Sequence, residues 1–229
     1  MIYRKFFFIL FLYLISFPFS NACFSQHNNF QTFSIEKGLP HSNVYCLMQD
    51  SRGYLWAGTE GGLSRFDGFT FKVFGKRDGL AGNIIRALME DSKGNIWIGT
   101  DEGISILNGT GFNNITADNG LPGKVTLTFM EDDDHNIWAG TSDGGLNKIN
   151  IISPDSFSIK NYSDKNGMSN NSVFDIFRDK EKRLWLATFG GINIFTPNKD
   201  SFDITVLHSG RDIPSDMLLT IEEDTKGNL

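Results

Sequence analysis

An aspartate followed six residues later by a tryptophan occurs four times in this 229-residue chain, and the spacing between copies leaves few folds open. The pairs are Asp50 and Trp56, Asp91 and Trp97, Asp132 and Trp138, and Asp179 and Trp185, with the tryptophans 41, 41 and 47 residues apart. A fifth aspartate, Asp224, opens Asp-Thr-Lys-Gly-Asn-Leu at the end of the sequence. Such a period fits either a propeller blade or a helical-pair solenoid. The residues between the landmarks decide for strands. Each unit holds an alternating run before the aspartate (Val44, Cys46, Met48), a tight turn, a Leu-Trp-Ala-Gly-Thr run, a Gly-rich turn, and a Gly-Leu-Ser-Arg-Phe run. An aromatic-spaced run such as Phe71 and Phe74 closes it. Four runs of about five residues, rich in branched and aromatic side chains and parted by turn residues, predict a four-stranded antiparallel blade.

The segment before the repeats reads differently. Arg4 and Lys5 precede a 14-residue apolar run from Phe6 to Phe19, too short to span a bilayer comfortably and suited to a secretory signal. Residues 1–25 are therefore expected to be removed on export. Ser20-Asn21-Ala22 offers one cleavage site before Cys23, and Cys23-Phe24-Ser25 offers another before Gln26; Cys23 as a lipoprotein cysteine is the alternative. Cys46 falls on a strand, so no disulfide framework exists and buried filler is its expected role. With 21 basic and 27 acidic residues and no block of like charge, the composition does not indicate a basic, nucleic-acid-binding surface.

Phe30 and Phe33 stand eight and five residues before Gly38, the offsets that relate Phe71 and Phe74 to Gly79. The mature chain is therefore expected to begin with an isolated outer strand, then build four blades, then start the inner strand of a fifth near Thr220. In a propeller, such terminal strands close the ring without a free edge. The extra residues of the third and fourth units fall at 150–159 and 196–204, and are expected to be loops. The column four residues before each aspartate (Cys46, Ala87, Thr128, Asp175, Thr220) is small enough for an innermost strand. The tryptophans are expected to cover the adjoining blade, with Gly58, Gly99, Gly140 and Ala187 admitting close backbone approach. Domain organisation is thus read as signal peptide 1–25 and an incomplete all-β propeller over 26–229, truncated at its C-terminal side. Two uncovered blade faces predict poor solubility or self-association for such an isolated piece.

The repeated Gly-Leu-Pro-x-x-x-Val, Asp-Ser-x-Gly-x-x-Trp-x-Gly-Thr and Gly-Gly-Leu-x-x-Phe-Asp segments resemble the two-component regulator propeller family over residues 30–229. His135 and Lys182 depart from it at the turn glycine, and Ala187 departs at the glycine before Thr188. The resemblance implies a sensor on the periplasmic side of the inner membrane of a Gram-negative bacterium, usually a seven-bladed ring. It implies a small-molecule or oligosaccharide ligand, often a carbohydrate fragment. It also implies a membrane-anchored, dimeric parent in which a histidine kinase or another output domain follows. The further blades of the same chain would be partners of this part. A non-signalling adhesion or scaffold propeller and a propeller lyase are the alternatives.

No catalytic residues, cofactor or metal are expected. The Glu131-Asp132-Asp133-Asp134-His135 cluster coincides with the third turn, and the four histidines recur at no ligand spacing. No His/Glu constellation of a lyase is evident. Candidate ligand-binding residues are those on loops that open the first strand (Ser42, Asn83, Lys124, Asn171, Asp216) and those on loops joining the second strand to the third (Glu60, Asp101, Asp143). Mixed amide, carboxylate and ammonium groups around a channel mouth suit hydrogen bonding to a sugar.

Overall fold

The computed structural model describes residues 31–229 apart from 110, 154, 155 and 200. The export signal, both cleavage sites, Cys23 and Phe30 lie outside these residues. Four antiparallel sheets of four strands follow one another in chain order, each laid out from an inner to an outer strand. Blade one holds β1 (Val44–Gln49), β2 (Leu55–Thr59), β3 (Gly62–Phe66) and β4 (Phe71–Phe74). Blade two holds β5 (Ile85–Glu90), β6 (Ile96–Thr100), β7 (Gly103–Leu107) and β8 (Phe112–Ile115). Blade three holds β9 (Thr126–Glu131), β10 (Ile137–Thr141), β11 (Leu146–Ser153) and β12 (Ser156–Tyr162). Blade four holds β13 (Val173–Arg178), β14 (Leu184–Thr188), β15 (Gly191–Asn198) and β16 (Ser201–Leu207). The architecture is the expected all-β propeller arrangement.

The landmark aspartate makes each inner hairpin. Asp91 Oδ1 accepts from the backbone N–H of Lys93 at 3.0 Å and Asn95 at 2.9 Å, which closes the turn. Its Oδ2 accepts the indole N–H of Trp97 at 2.9 Å. The indole bond recurs at 2.9 Å from Trp56 to Asp50, 2.9 Å from Trp138 to Asp132 and 2.8 Å from Trp185 to Asp179. The turn needs a left-handed residue three after the aspartate. Gly53 and Gly94 supply φ of 89° and 81°, and His135 and Lys182 adopt 62° and 66° in the same place. The two departures from the repeat pattern therefore keep its geometry, at a cost of about 1–2 kcal/mol each.

The first three tryptophans each lie on the next blade. Trp56 packs with Ile85, Ile96 and Ile98 of blade two, Trp97 with Ile137 and Ile149 of blade three, and Trp138 with Val173, Leu184 and Phe195 of blade four. These three rings are fully buried, and Trp185 is half-buried. The Gly-Leu step before each inner strand serves the same interfaces. A short 3-10 turn ends on a left-handed glycine, such as Gly79 at φ 109°, and drops Leu80, Leu121 or Met168 into them. A Cβ on Gly99 would come within 2.8 Å of the Thr126 carbonyl, so close approach of the blades requires glycine there. Burial in this wall pushes the Cys46 thiol up to about 12, against a backbone hydrogen bond from Gly58 that lowers it, as befits inert filler.

A second column joins the blades at their turns. Ser51 donates from N and Oγ to Glu90 at 2.7 and 2.6 Å, and Ser92 does the same to Glu131. In the next interface Arg178 grips Asp133 with two bonds of 2.7 and 2.6 Å. Lys180 then reaches Glu223 at 3.1 Å. The residue after one aspartate thus meets the residue before the next.

Three expectations need correction. The extra residues of blades three and four extend the outer hairpins, giving β11 and β15 eight residues each and β12 and β16 seven. The added residues pair with one another across each outer hairpin, and Phe202 among them also packs on Trp138 of blade three with ring centroids 5.5 Å apart. The outer strand expected around Phe33 is not a strand over 31–34, where no ladder partner lies alongside. Its position is kept all the same: the Phe33 ring meets Phe71 at 5.4 Å, as Phe74 meets Phe112 at 5.7 Å. Likewise residues 217–224 form no strand, although Thr220 Oγ1 and Ile221 N both donate to Asp175 Oδ2 at 2.8 and 3.0 Å. The fifth aspartate still makes its turn, with Asp224 Oδ1 accepting from Lys226 N and Asn228 N.

Asp91→Ala is expected to cost about 2–4 kcal/mol in urea unfolding, because it strands a buried indole N–H and opens the turn together. Ser92→Ala, on the exposed side of the same turn, should cost less than about 1 kcal/mol. Acid should act through the same carboxylates. Burial works to raise the pKa of Asp132, but hydrogen bonds from Trp138 and Asn136, with the Lys148 charge, hold it below the ordinary carboxylate range. Asp179 is held low in the same way by Trp185 and Arg183. A carboxylate with a depressed folded pKa contributes stability that is complete above its unfolded pKa, about 3.9, and is lost as pH falls through the folded value. Near-UV circular dichroism should therefore stay flat from neutral pH to about 5 and collapse below about 4, and Asp132→Asn should flatten that dependence.

Candidate functional site

The loops that enter the inner strands and those that join the second strand to the third share the rim opposite the Asp turns, so the eight predicted residues fall on one side. Most of their side-chain atoms are engaged in bracing the rim. Asn83 Oδ1 accepts from Lys76 N at 3.0 Å, Asn171 Oδ1 from Asp164 N at 2.8 Å, and Asp216 Oδ1 from Ser209 N at 2.6 Å. In each case the residue reaches back seven positions to tie down the start of its loop. Asp101 Oδ1 accepts from Ile84 N and Asp143 Oδ1 from Lys124 N, both at 3.1 Å, which ties the second loop to the first. Glu60 Oε2 accepts from Asn43 Nδ2 at 2.6 Å and Tyr45 Oη at 3.3 Å. The Asn43 hydrogen bond is the main reason that the Glu60 carboxyl is held below its ordinary range, with the Tyr45 bond and the charges of His41 and Arg86 adding to it. Ser42 and the Lys124 side chain are exposed.

The repeat columns missed a second set of side chains. Every inner strand carries a bulge against its neighbour, between Val44 and Cys46, Ile85 and Ala87, Thr126 and Thr128, and Val173 and Asp175. The bulged residues are Tyr45, Arg86, Leu127 and Phe174, five before each aspartate, and a bulge re-aims its side chain out of the alternation. Two of them meet the residue that follows the second strand: Tyr45 reaches Glu60, and Phe174 lies 4.3 Å from the exposed ring of Phe189. Between blades, the Arg86 guanidinium stands 4.0 Å over the Tyr45 ring. His41 Nδ1 accepts from Asn43 N at 3.1 Å and lies 3.8 Å from Glu60 Oε2, which sets a histidine beside a glutamate at this rim. The signal for the bulge column was available as a position of free composition in an otherwise alternating run. Aromatic faces, a guanidinium and carboxylates together suit stacking and hydrogen bonding to a polyhydroxylated solute.

The acidic cluster at the third turn is used within the fold. Glu131 binds Ser92 and His135, Asp132 holds its turn, and Asp133 binds Arg178 and Lys182. Among the described residues no three His, Cys, Asp or Glu side chains converge to hold a metal ion. Among them, too, no helix is long and apolar enough to cross a membrane.

Comparison with known proteins bears on the repeats directly. Residues 38–61, 79–102, 120–143 and 167–190 each match the family described as Two component regulator propeller. The chain belongs to that family. Each match begins at the left-handed glycine, spans the Asp–Trp hairpin and ends just beyond the second strand, so the family pattern is the pattern of the interface just described. This regulator propeller is 45% identical over 51 residues to Histidine kinase P4 of Formosa agariphila, a stretch covering 21% of this chain and 4% of that one. Its fold matches the extracellular domain of BT4673 from B. thetaiotaomicron in two crystal structures, titled a one-component and a hybrid two-component system. TM-scores are 0.70 and 0.60 at 23% and 22% identity, covering 89% and 76% of this chain and 30% and 25% of those. The virginiamycin B lyase of Staphylococcus aureus shares the fold at 18% identity and TM-score 0.58, over 76% of this chain and 58% of the lyase. The regulator propeller thus spans less than a third of the length of the regulators it matches.

Asn83→Ala should free the Lys76 amide, raising hydrogen exchange across residues 75–84 and costing about 1 kcal/mol of global stability. Lys124→Ala, whose side chain braces nothing in the rim, should leave both unchanged.

Proposed function

We propose that this propeller is the extracytoplasmic, ligand-sensing part of a longer two-component sensor histidine kinase, exported to the periplasmic side of a Gram-negative inner membrane. Its ligand is a small molecule or oligosaccharide fragment held at the rim. The observation that carries this reading is the bulge column: Tyr45, Arg86 and Phe174 are turned out of their ladders toward the rim that holds Glu60 and Phe189, and none of them belongs to the buried tryptophan interfaces. Rim residues left free of bracing, Ser42 and Lys124, complete the ligand contacts. The family and the extracellular regulator domains sharing the fold support sensing over the scaffold reading. In the whole protein the remaining blades close the ring, and a membrane helix joins a dimeric parent to its kinase.

A lyase reading keeps one specific support, the His41 and Glu60 pair at the rim. It requires that a bound ligand be consumed and that His41→Ala abolish consumption while sparing binding.

Calorimetric titration of the chain with an oligosaccharide panel should find at least one saturable ligand, and Arg86→Ala should weaken it at least about tenfold, the equivalent of about 1.4 kcal/mol. Unaltered affinity in Arg86→Ala, Asn83→Ala and Lys124→Ala together would move the site off this rim. Reading the gene beyond Leu229 into further blades, a membrane helix and kinase motifs is the expected genetic result, and ring closure followed by a stop codon would favour the scaffold.

A further inference from the structure

Arg65 is a cation with no anion beside it among the described residues. On β3 it stands opposite Trp56 on one side and Lys72 on the other. Its guanidinium lies 4.3 Å from the Tyr54 ring centroid and 5.7 Å from that of Trp56, so two aromatic faces fix its plane. Among the described residues it joins no ion pair, and its Nε is buried with no hydrogen-bond acceptor. Buried donors in folded proteins are nearly always satisfied, so this one calls for a partner.

The equivalent positions show what is unusual. Opposite the other three tryptophans stand Ile106, Lys148 and Ile194. Lys148 also lies over its tryptophan, at 5.2 Å, but its Nζ reaches Asp132 Oδ2 at 3.4 Å. Asp50, the corresponding carboxylate in blade one, accepts from Arg52 N, Tyr54 N and Trp56 Nε1 and leaves Arg65 unpaired. A groove of about 180 Å³ opens here between blades one and two, and Arg52, Arg65 and Lys72 all line it. None of the three has an ion pair among the described residues, and the Lys72 ammonium rests 5.0 Å over the Phe74 ring. In the groove between blades three and four the guanidinium and ammonium groups nearest the turn, those of Arg178 and Lys182, are both held by Asp133, although Lys160 and Lys199 on its outer side join no ion pair among the described residues.

We propose that the groove between blades one and two is an oxyanion-binding site. The Arg65 guanidinium donates from Nε and its fork to a carboxylate, sulfate or phosphate group, with Lys72 and Arg52 supplying the remaining positive charge. The groove opens beside the Asp turns, on the side opposite His41 and Glu60, so this site is separate from the rim and does not depend on the sensing role argued for it.

The test is a titration of the full chain, at constant ionic strength set with sodium chloride, with sodium sulfate, sodium phosphate and sodium acetate in turn. The readouts are the Arg65 side-chain Nε–H resonance and the four indole N–H resonances. Saturable shifts at Arg65 and Trp56 with at least one of the salts are expected, while Trp97, Trp138 and Trp185 stay still and report an intact fold. Arg65→Gln should remove saturation, and Arg52→Ala and Lys72→Ala should each weaken it severalfold. Response to sulfate and phosphate without acetate assigns a tetrahedral group, and response to acetate without them assigns a carboxylate. Shifts that stay linear for all three salts, or saturation unchanged in Arg52→Ala and Lys72→Ala, would overturn the proposal.

Discussion

A carboxylate that accepts an indole N–H across six residues is the bond on which the rest of this molecule depends. It closes the inner hairpin with one oxygen and aims the tryptophan with the other, so turn formation and blade packing are set by a single side chain. An indole buried without an acceptor is costly, and the aspartate removes that cost while fixing the ring flat against the next sheet. Trp97 packs with Ile137 and Ile149 while Asp91 holds its indole N–H. Turn composition is secondary to this bond. His135 and Lys182 occupy left-handed backbone that glycine would hold more cheaply, and the Asp132 and Asp179 hairpins keep the same bonds as the others.

Packing by repeated tryptophans would by itself let blades stack in any order. The column at the turns supplies the difference. Two interfaces pair serine with glutamate, the third pairs aspartate with arginine, and the fourth pairs lysine with glutamate. Seating blade three against a neighbour with glutamate before its aspartate would set Asp133 against a carboxylate, and like charges there disfavour the wrong neighbour. These bonds are exposed and individually weak. Their contribution is to choice of neighbour, and the buried tryptophans supply the adhesion.

The fold was legible because its period is carried by residues whose roles are strict. Asp and Trp at fixed spacing located each hairpin, and the Gly-Leu step located each inner strand. The outer hairpins of blades three and four were misread as loops because their extra pairs, Ile151 with Phe157 and Pro197 with Phe202, lie beyond the end of the second strand and have no counterpart in the shorter blades, so no repeat column marks them. The ladders missing at 31–34 and 217–224 reflect the other limit: a strand needs a partner, and pattern alone does not provide one. At the rim, position was readable and chemistry was not. Asn83, Asn171 and Asp216 looked like an open polar ring, whereas their oxygens are occupied by backbone N–H groups seven residues earlier. Tyr45, Arg86 and Phe174 were hidden because a bulge breaks the alternation by which strand faces are assigned.

That occupancy constrains what the rim can bind. A ligand taking the oxygens of Asn83 or Asp101 would have to displace hydrogen bonds that hold the loops in place, and the exchange would gain little net free energy. Groups free of such duties interact without that loss: the faces of Tyr45, Phe174 and Phe189, the Arg86 guanidinium, the Ser42 hydroxyl and the Lys124 ammonium. For the ligand proposed at this rim, the bracing residues would act by preorganisation, holding Glu60 and its neighbours still so that less order is lost on binding. Blade interfaces fix the inner strands, the strands carry the bulges, and the bulges present the side chains. On the proposed reading, ligand specificity changes through the bulge column alone, with the Asp–Trp hairpins left intact.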